Sequence, residues 1–216
     1  MSALFRPRAN AIFKSVLVLL VAGAAGTVGA AMIYWRVPAG TLEFQPIQQP
    51  VMFDHRHHVQ DDLMDCRYCH TTVDRAPSAG IPPTELCLNC HSQVWNKSTL
   101  LDTVRASWFS GQAIPWVRVH RLPGFVYFNH AIHVNKGVGC VDCHGRVDQM
   151  AAIEQVQPLN MGWCIDCHKD PYPRLRPVEE VTNMAWTYAG DRAELGRELA
   201  KKYDVKPRTS CYTCHR

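Results

Sequence analysis

The chain has 216 residues, a formal net charge of +4, 47% hydrophobic and 19% charged residues. That balance excludes a wholly disordered polypeptide, and the length suits one modest domain plus an attachment. The basic excess is small and no basic cluster is interleaved with aromatics, so there is no ground for a nucleic-acid partner.

In chain order, residues 1–14 form a basic segment whose charges are Arg6, Arg8 and Lys14. Residues 15–35 contain no charge and end in Tyr34 and Trp35, which predicts a transmembrane helix closed by interfacial aromatics. The basic flank belongs in the cytoplasm, so everything after Arg36 is expected on the outer face. A cleaved signal peptide is the alternative, but the apolar run is long for one, and the small residues Ala22, Gly23 and Ala24 lie inside it. Ala22, Gly26 and Ala30 make a small-residue face suited to a second membrane helix. Residues 36–51, with Pro38, Pro46 and Pro50, read as an extended linker, and residues 52–216 as the exported domain.

Within that domain few elements are predicted. Ser98 to Trp108 reads as a helix with Leu100, Leu101, Val104 and Trp108 on one face and Ser98 or Thr99 as cap. Asp191 to Tyr203 opens with a capping-box pattern and sets Leu195 and Leu199 four apart. Trp116 to Arg121 and Phe125 to Phe128 flank Pro123-Gly124 as a hairpin, and Pro171 to Pro177 is expected to be extended. The expected fold is therefore mostly irregular with short α-helices, too sparse to fill a core by itself.

Ten cysteines fall in one frame. Cys66, Cys69 and His70; Cys87, Cys90 and His91; Cys140, Cys143 and His144; Cys164, Cys167 and His168; and Cys211, Cys214 and His215 are five copies of C-x-x-C-H, the attachment signal of c-type haem. Cysteines three apart share one side of a helical turn, where both thiols can add to the vinyl groups of one porphyrin. The adjoining histidine then supplies the proximal iron ligand. With 11 histidines in the chain, their recurrence after every pair by chance is on the order of one in several million. Zinc ribbons pair their C-x-x-C units, a dithiol needs one, and a disulfide framework gives no role to the histidines. Five covalently bound haems c are expected.

Six further histidines are available for the opposite iron faces. Phe53, His55 and His58 precede the first motif, and Phe128, His130 and His133 precede the third, both as F-x-H-x-x-H. His55, His58, His130 and His133 are thus the expected distal ligands, His120 the fifth candidate and His57 the spare. Met150 or Met161 is the alternative donor for one position, which would raise that potential. Irons filled on both faces pass electrons and leave no place for substrate. Ten propionates would offset the positive charge, with Arg67, Arg146, Lys169, Arg174 and Arg216 as candidate partners.

These motifs resemble the class III multihaem cytochromes c, the group that includes cytochromes c3 and c7. The amino-terminal anchor, Val126 to Val134, Cys140 to Gly145 and Leu159 to Cys164 are similar to the pentahaem cytochrome subunits of bacterial alternative complex III. The resemblance implies an electron relay, itself not catalytic, in the bacterial cytoplasmic membrane, with its haem domain on the periplasmic side. It implies as partners an iron–sulfur/molybdopterin-like subunit, polytopic membrane subunits, lipid, and a monohaem cytochrome c or copper protein as acceptor. A multihaem quinol dehydrogenase is the competing reading. A nitrite or hydroxylamine-type reductase fits poorly, because no C-x-x-C-K occurs.

Overall fold

The computed structural model describes residues 6–215; the first five residues of the basic segment and Arg216 lie outside them. Two compact units divide between Glu43 and Phe44, within the expected linker.

The first unit is dominated by helix α1, Pro7–Tyr34. Pro7 stands at the first helical position, where its missing N–H costs nothing and its fixed φ favours the helix. From Arg8 to Tyr34 the helix has a peak mean hydropathy of 2.3 and its apolar side chains are exposed. Its length, about 1.5 Å per residue, exceeds the hydrocarbon thickness of roughly 30 Å. It is long and apolar enough to cross a membrane. A Cβ added at Gly23, Gly26 or Gly29 would meet nothing within 4 Å, so the small-residue face is open. A short helix α2, Pro38–Thr41, interrupts the expected linker. Gly40 is obligatory there: a Cβ would stand 2.1 Å from the Tyr34 carbonyl oxygen.

The second unit contains short helices and no strand among the described residues. These are α3 (Cys66–Cys69), α4 (Thr84–His91), α5 (Asp102–Ser110), α6 (His130–Asn135), α7 (Cys140–His144), α8 (Met161–Lys169) and α9 (Arg192–Lys202), with single 3₁₀ turns between them. The predicted helix at 98–108 is a 3₁₀ turn, Thr99–Leu101, running into α5. Ser98 caps it by accepting from Leu100 N–H. The buried face differs from the expected one: Leu101 and Val104 pack with Val51 and Ile114, whereas Leu100 and Trp108 are exposed. The 3₁₀ start rotates Leu100 outward. Helix α9 forms as expected, with the Asp191 carboxylate accepting from Ala193 and Glu194 N–H. Leu199 packs with Leu175 and Ala200.

The hairpin does not form. Val126 N–H closes a turn onto Pro123 at 3.0 Å, but the flanks find other partners. The Gln49 amide bonds both backbone groups of Val117, Gln155 Oε1 accepts from Arg121 N–H, and Tyr127 N–H donates to Cys214. Pro171 to Pro177 is not extended throughout either; Tyr172–Arg174 is a 3₁₀ turn favoured by the proline at its start.

Buried apolar residues form three small separate clusters, and Leu175 and Val181 are the largest side chains fully enclosed. Polypeptide alone does not build one continuous core here.

Candidate functional site

Each C-x-x-C-H motif occupies one helical turn. The first is α3, the second ends α4, the third is α7, the fourth lies in α8 and the fifth opens the 3₁₀ turn Cys211–Thr213. Backbone N–H groups of His70 and His215 close their turns onto Cys66 and Cys211, each at 2.9 Å. Side-chain caps start several of these turns: Asp65 accepts from Arg67 N–H and Asn160 from Trp163 N–H.

All ten cysteines are free. Burial, then Asp142, Cys167 and Cys164, pushes the Cys143 thiol up to about 12. The Cys140 thiol and then burial raise Cys66. Among the described residues no three His, Cys, Asp or Glu side chains close around a common ion position.

The thiols also show which motifs are neighbours. Cys66 is raised chiefly by the neighbouring Cys140 thiol, and Cys69 by burial and then by Cys87. Cys143 responds to Cys167 and Cys164, and Cys164, raised chiefly by burial, responds to Cys214. The motifs therefore follow one another in space as second, first, third, fourth, fifth.

Seven histidines share one arrangement. His58, His70, His91, His130, His133, His168 and His215 place Nδ1 2.8–3.1 Å from the carbonyl oxygens of Asp54, Gly80, Val94, Pro77, Asn129, Arg208 and Phe125, respectively. A carbonyl only accepts, so Nδ1 carries the proton and the neutral ring keeps its lone pair on Nε2. That is the tautomer a metal-binding imidazole needs.

Three histidine pairs lie at a common spacing, two drawn from these seven and one joining His130 to His144. Ring centroids lie 6.1 Å apart for His58 and His91, 6.3 Å for His130 and His144, and 6.1 Å for His133 and His168. Two imidazoles joined through Nε2 to one metal at ~2 Å put their centroids ~6 Å apart. In every pair one ring comes from an F-x-H-x-x-H segment and the other from a C-x-x-C-H motif.

The two F-x-H-x-x-H segments repeat the same packing. Phe53 stacks on His58 at 4.4 Å and meets His55 edge-on at 4.7 Å. Phe128 does the same with His133 at 4.6 Å and His130 at 4.7 Å. They differ in winding: the first is a π-helical turn, Arg56–Asp61, and the second is α6. Cys66 follows His58 by eight residues where Cys140 follows His133 by seven, and the wider turn absorbs the extra residue.

The remaining histidines stand apart. His55 has a buried Nδ1 with no partner, and burial followed by His70 and His58 pushes its pKa down to about 4. His57, the expected spare, lies 3.5 Å from Asp61 and stacks on Trp95. His120, the fifth candidate for a distal ligand, lies against His144, whose Nδ1 is 3.1 Å from His120 Nε2. Burial first, then His120, His130, His70 and His55, pushes His144 down to about 3. Burial likewise lowers His120, His130 and His133. All are neutral at pH 7, the form that offers a lone pair. Of the methionines considered, Met150 approaches Gly145 beside the third motif, and Met161 is exposed.

Among the expected propionate partners, Arg67 pairs with Asp65, Arg146 with Asp148 and Arg174 with Asp142 at 3.8 Å, while Lys169 is exposed. Sequence reasoning missed Arg176 and Arg192. Arg176 is 2% exposed, donates to Asp142 and to the Asn183 carbonyl, and stacks on Trp186 together with Arg192. The Nε atoms of both arginines are buried without a partner. Gly139 makes room for Arg176, since a Cβ there would stand 2.2 Å from Arg176 Cζ. The one legible signal was the aspartate inside the third motif.

Residues 126–216 match the family described as cytochrome c7 and related cytochrome c. This stretch is a multihaem cytochrome c7-like domain. It carries the third, fourth and fifth C-x-x-C-H motifs and the second F-x-H-x-x-H segment. Over 112 residues the chain is 32% identical to the multihaem cytochrome c subunit of a menaquinone reductase from Nitratidesulfovibrio vulgaris. That alignment covers 51% of each protein, so the chain spans about half the length of the curated relative it matches. A c7-like domain implies covalently bound haem c and electron transport. The residues fit that group: free thiols in the attachment spacing, lone pairs on Nε2, ring pairs at the right separation, and the orphaned Nδ1 of His55.

Proposed function

We propose that the chain relays electrons through five covalently bound haems c as a subunit of a membrane quinol:acceptor oxidoreductase of the alternative complex III type. The observation that carries this reading is the set of facing histidine pairs, 6.1–6.3 Å apart, with their proton on Nδ1 wherever a backbone carbonyl faces it. Haem c, when bound, supplies a one-electron iron couple. The two cysteines of each motif hold the macrocycle, and His70, His91, His144, His168 and His215 provide its proximal face. His58, His130 and His133 would serve the opposite faces of the second, third and fourth motifs, and His55 that of the first, since after burial His70 is the strongest influence on it.

In seven of these rings, all but His55 and His144, a carbonyl behind Nδ1 keeps Nε2 deprotonated and aimed. The spatial order of the motifs gives a single path whose ends are the second and fifth. Both ends are accessible, for Cys90, Trp95, Cys211 and Tyr212 are exposed. Helix α1 tethers the domain to the membrane with its amino terminus inside. Its open small-residue face suits the polytopic subunits expected beside it, and an iron–sulfur/molybdopterin-like subunit and an exported cytochrome or copper protein would meet the two ends.

A second reading is favoured by the relative's name: electrons run toward menaquinone, not away from it. Purification in mild detergent tests both. Co-purifying polytopic subunits and quinol-dependent reduction of the haems support the proposal. Reduction of the isolated chain by menaquinol at a catalytic rate would show it to be a quinol dehydrogenase in its own right. Fewer than five haems per chain by pyridine haemochrome would remove the reading altogether.

A further inference from the structure

We propose that His120 is a positioning residue for His144 and not an iron ligand, so that the iron at the fifth motif has no histidine on its distal side. The inference rests on the haem assignment above and deepens it.

The tautomers decide the matter. A neutral imidazole has one donor and one acceptor nitrogen. The His144 and His130 ring centroids lie 6.3 Å apart, within 8° of parallel, and ligation of one iron by both would require the His144 lone pair on Nε2 and its proton on Nδ1. That Nδ1–H points at His120 Nε2, 3.1 Å away, with the two rings edge to face at 4.3 Å. His120 Nε2 is therefore the acceptor, and the proton of His120 sits on its own Nδ1. No lone pair is left for a metal. The reverse direction, His120 donating to His144 Nδ1, would put a proton on His144 Nε2 and forbid ligation by the third motif.

His144 is thereby singled out. The other four proximal histidines donate to backbone carbonyls, of Gly80, Val94, Arg208 and Phe125. Only His144 donates to a side chain, and an imidazole nitrogen is a more basic acceptor than an amide oxygen. Greater basicity of the acceptor strengthens the ligand and favours ferric iron. The third motif, the middle of the spatial path, is thus held at a lower potential than a carbonyl acceptor would set.

The histidine inventory closes accordingly. His55, His58, His130 and His133 serve the first four motifs. His57 is turned to Asp61 and Asp62 and stacked on Trp95. No histidine remains for the iron at His215.

The test compares wild type with His120→Phe and His120→Gln in the full-length detergent-solubilised chain. Readouts are haem content, magnetic circular dichroism for ligand type and spin state, and a redox titration. Expected in wild type are five haems, of which four irons are bis-histidine and one is not. His120→Phe keeps five haems, creates no new high-spin iron and moves one midpoint upward. His120→Gln, which restores an acceptor oxygen, brings that midpoint back toward wild type. Five bis-histidine irons in wild type would overturn the proposal, as would a new high-spin iron in either variant or unmoved midpoints in His120→Phe. If the phenylalanine variant does not accumulate, the glutamine variant decides through its spin state. A wild-type haem count below five fails the underlying assignment instead, so the two failures are distinguishable.

Discussion

Replacing Arg176 with leucine isolates a buried ion pair, Arg176 with Asp142. The Arg176 side chain is 3% exposed and donates to Asp142, itself 15% exposed, at 2.9 Å. It also satisfies the Asn183 carbonyl at 3.2 Å. Arg176→Leu strands that carboxylate and that carbonyl while keeping apolar bulk over Trp186. Removing one partner of a buried pair costs about 3–5 kcal/mol. Arg174 still stands 3.8 Å from Asp142 and water reaches it slightly, so the low end, about 3 kcal/mol, applies. With a urea slope of about 2 kcal/mol/M, the midpoint falls by about 1.5 M. The assay is urea unfolding of the haem-loaded protein followed by far-ultraviolet circular dichroism. Adding Asp142→Asn removes the stranded charge and is expected to recover at least half of the loss, a coupling that a double-mutant cycle reads directly. A midpoint shift under about 0.3 M for the single variant, or purely additive losses in the double, would refute the buried-pair reasoning.

Three further outcomes follow from other sites. His130→Gly is expected to leave every porphyrin attached but turn one iron high-spin; an unchanged low-spin spectrum argues against its pairing with His144. Asp65 caps α3, and although burial opposes it, bonds from Arg67 and Thr182 hold its carboxyl below the usual range. A folded-state value below the unfolded one means that stability is full above about pH 3.9 and is lost as pH falls through the depressed value. Asp65→Ala should cost about 1 kcal/mol at neutral pH and flatten the acid limb of an unfolding curve; equal acid sensitivity in both proteins would dismiss the carboxyl's role. Gly26→Leu on the open face of α1 is expected to reduce co-purification of membrane partners with haem content intact, and an undiminished particle after extraction would count against a helix contact there.

What was legible in the sequence is what is local in the chain. The α1 span, the C-x-x-C-H turns, the Asp191 cap and the two F-x-H-x-x-H segments are set by residues within a few positions of one another. The larger failures are long-range, while the 3₁₀ turns Thr99–Leu101 and Tyr172–Arg174 are local ones. A hairpin was expected at 116–128 because the turn chemistry was right, but Gln49, Gln155 and Cys214 took the backbone groups that a ladder would have used. His120 looked like a ligand because the ligand count was one short; the acceptor role proposed for it rests on His144, 24 residues on in the chain. Arg176 has no motif around it, and its burial depends on Gly139 and Asp142 arriving from elsewhere. The carbonyls behind the imidazoles are equally silent in sequence, since every residue type carries one.

Those carbonyls have a consequence for how the molecule matures. Thioether attachment is decided within five consecutive residues and can take place on an otherwise unstructured strand. Correct imidazole orientation cannot: His168 waits for Arg208, 40 positions later, and His215 for Phe125, 90 positions earlier. A truncated translation product would thus carry covalently held pigment with incomplete iron ligation, and the spectrum of a newly made chain would report whether its last residues had come home.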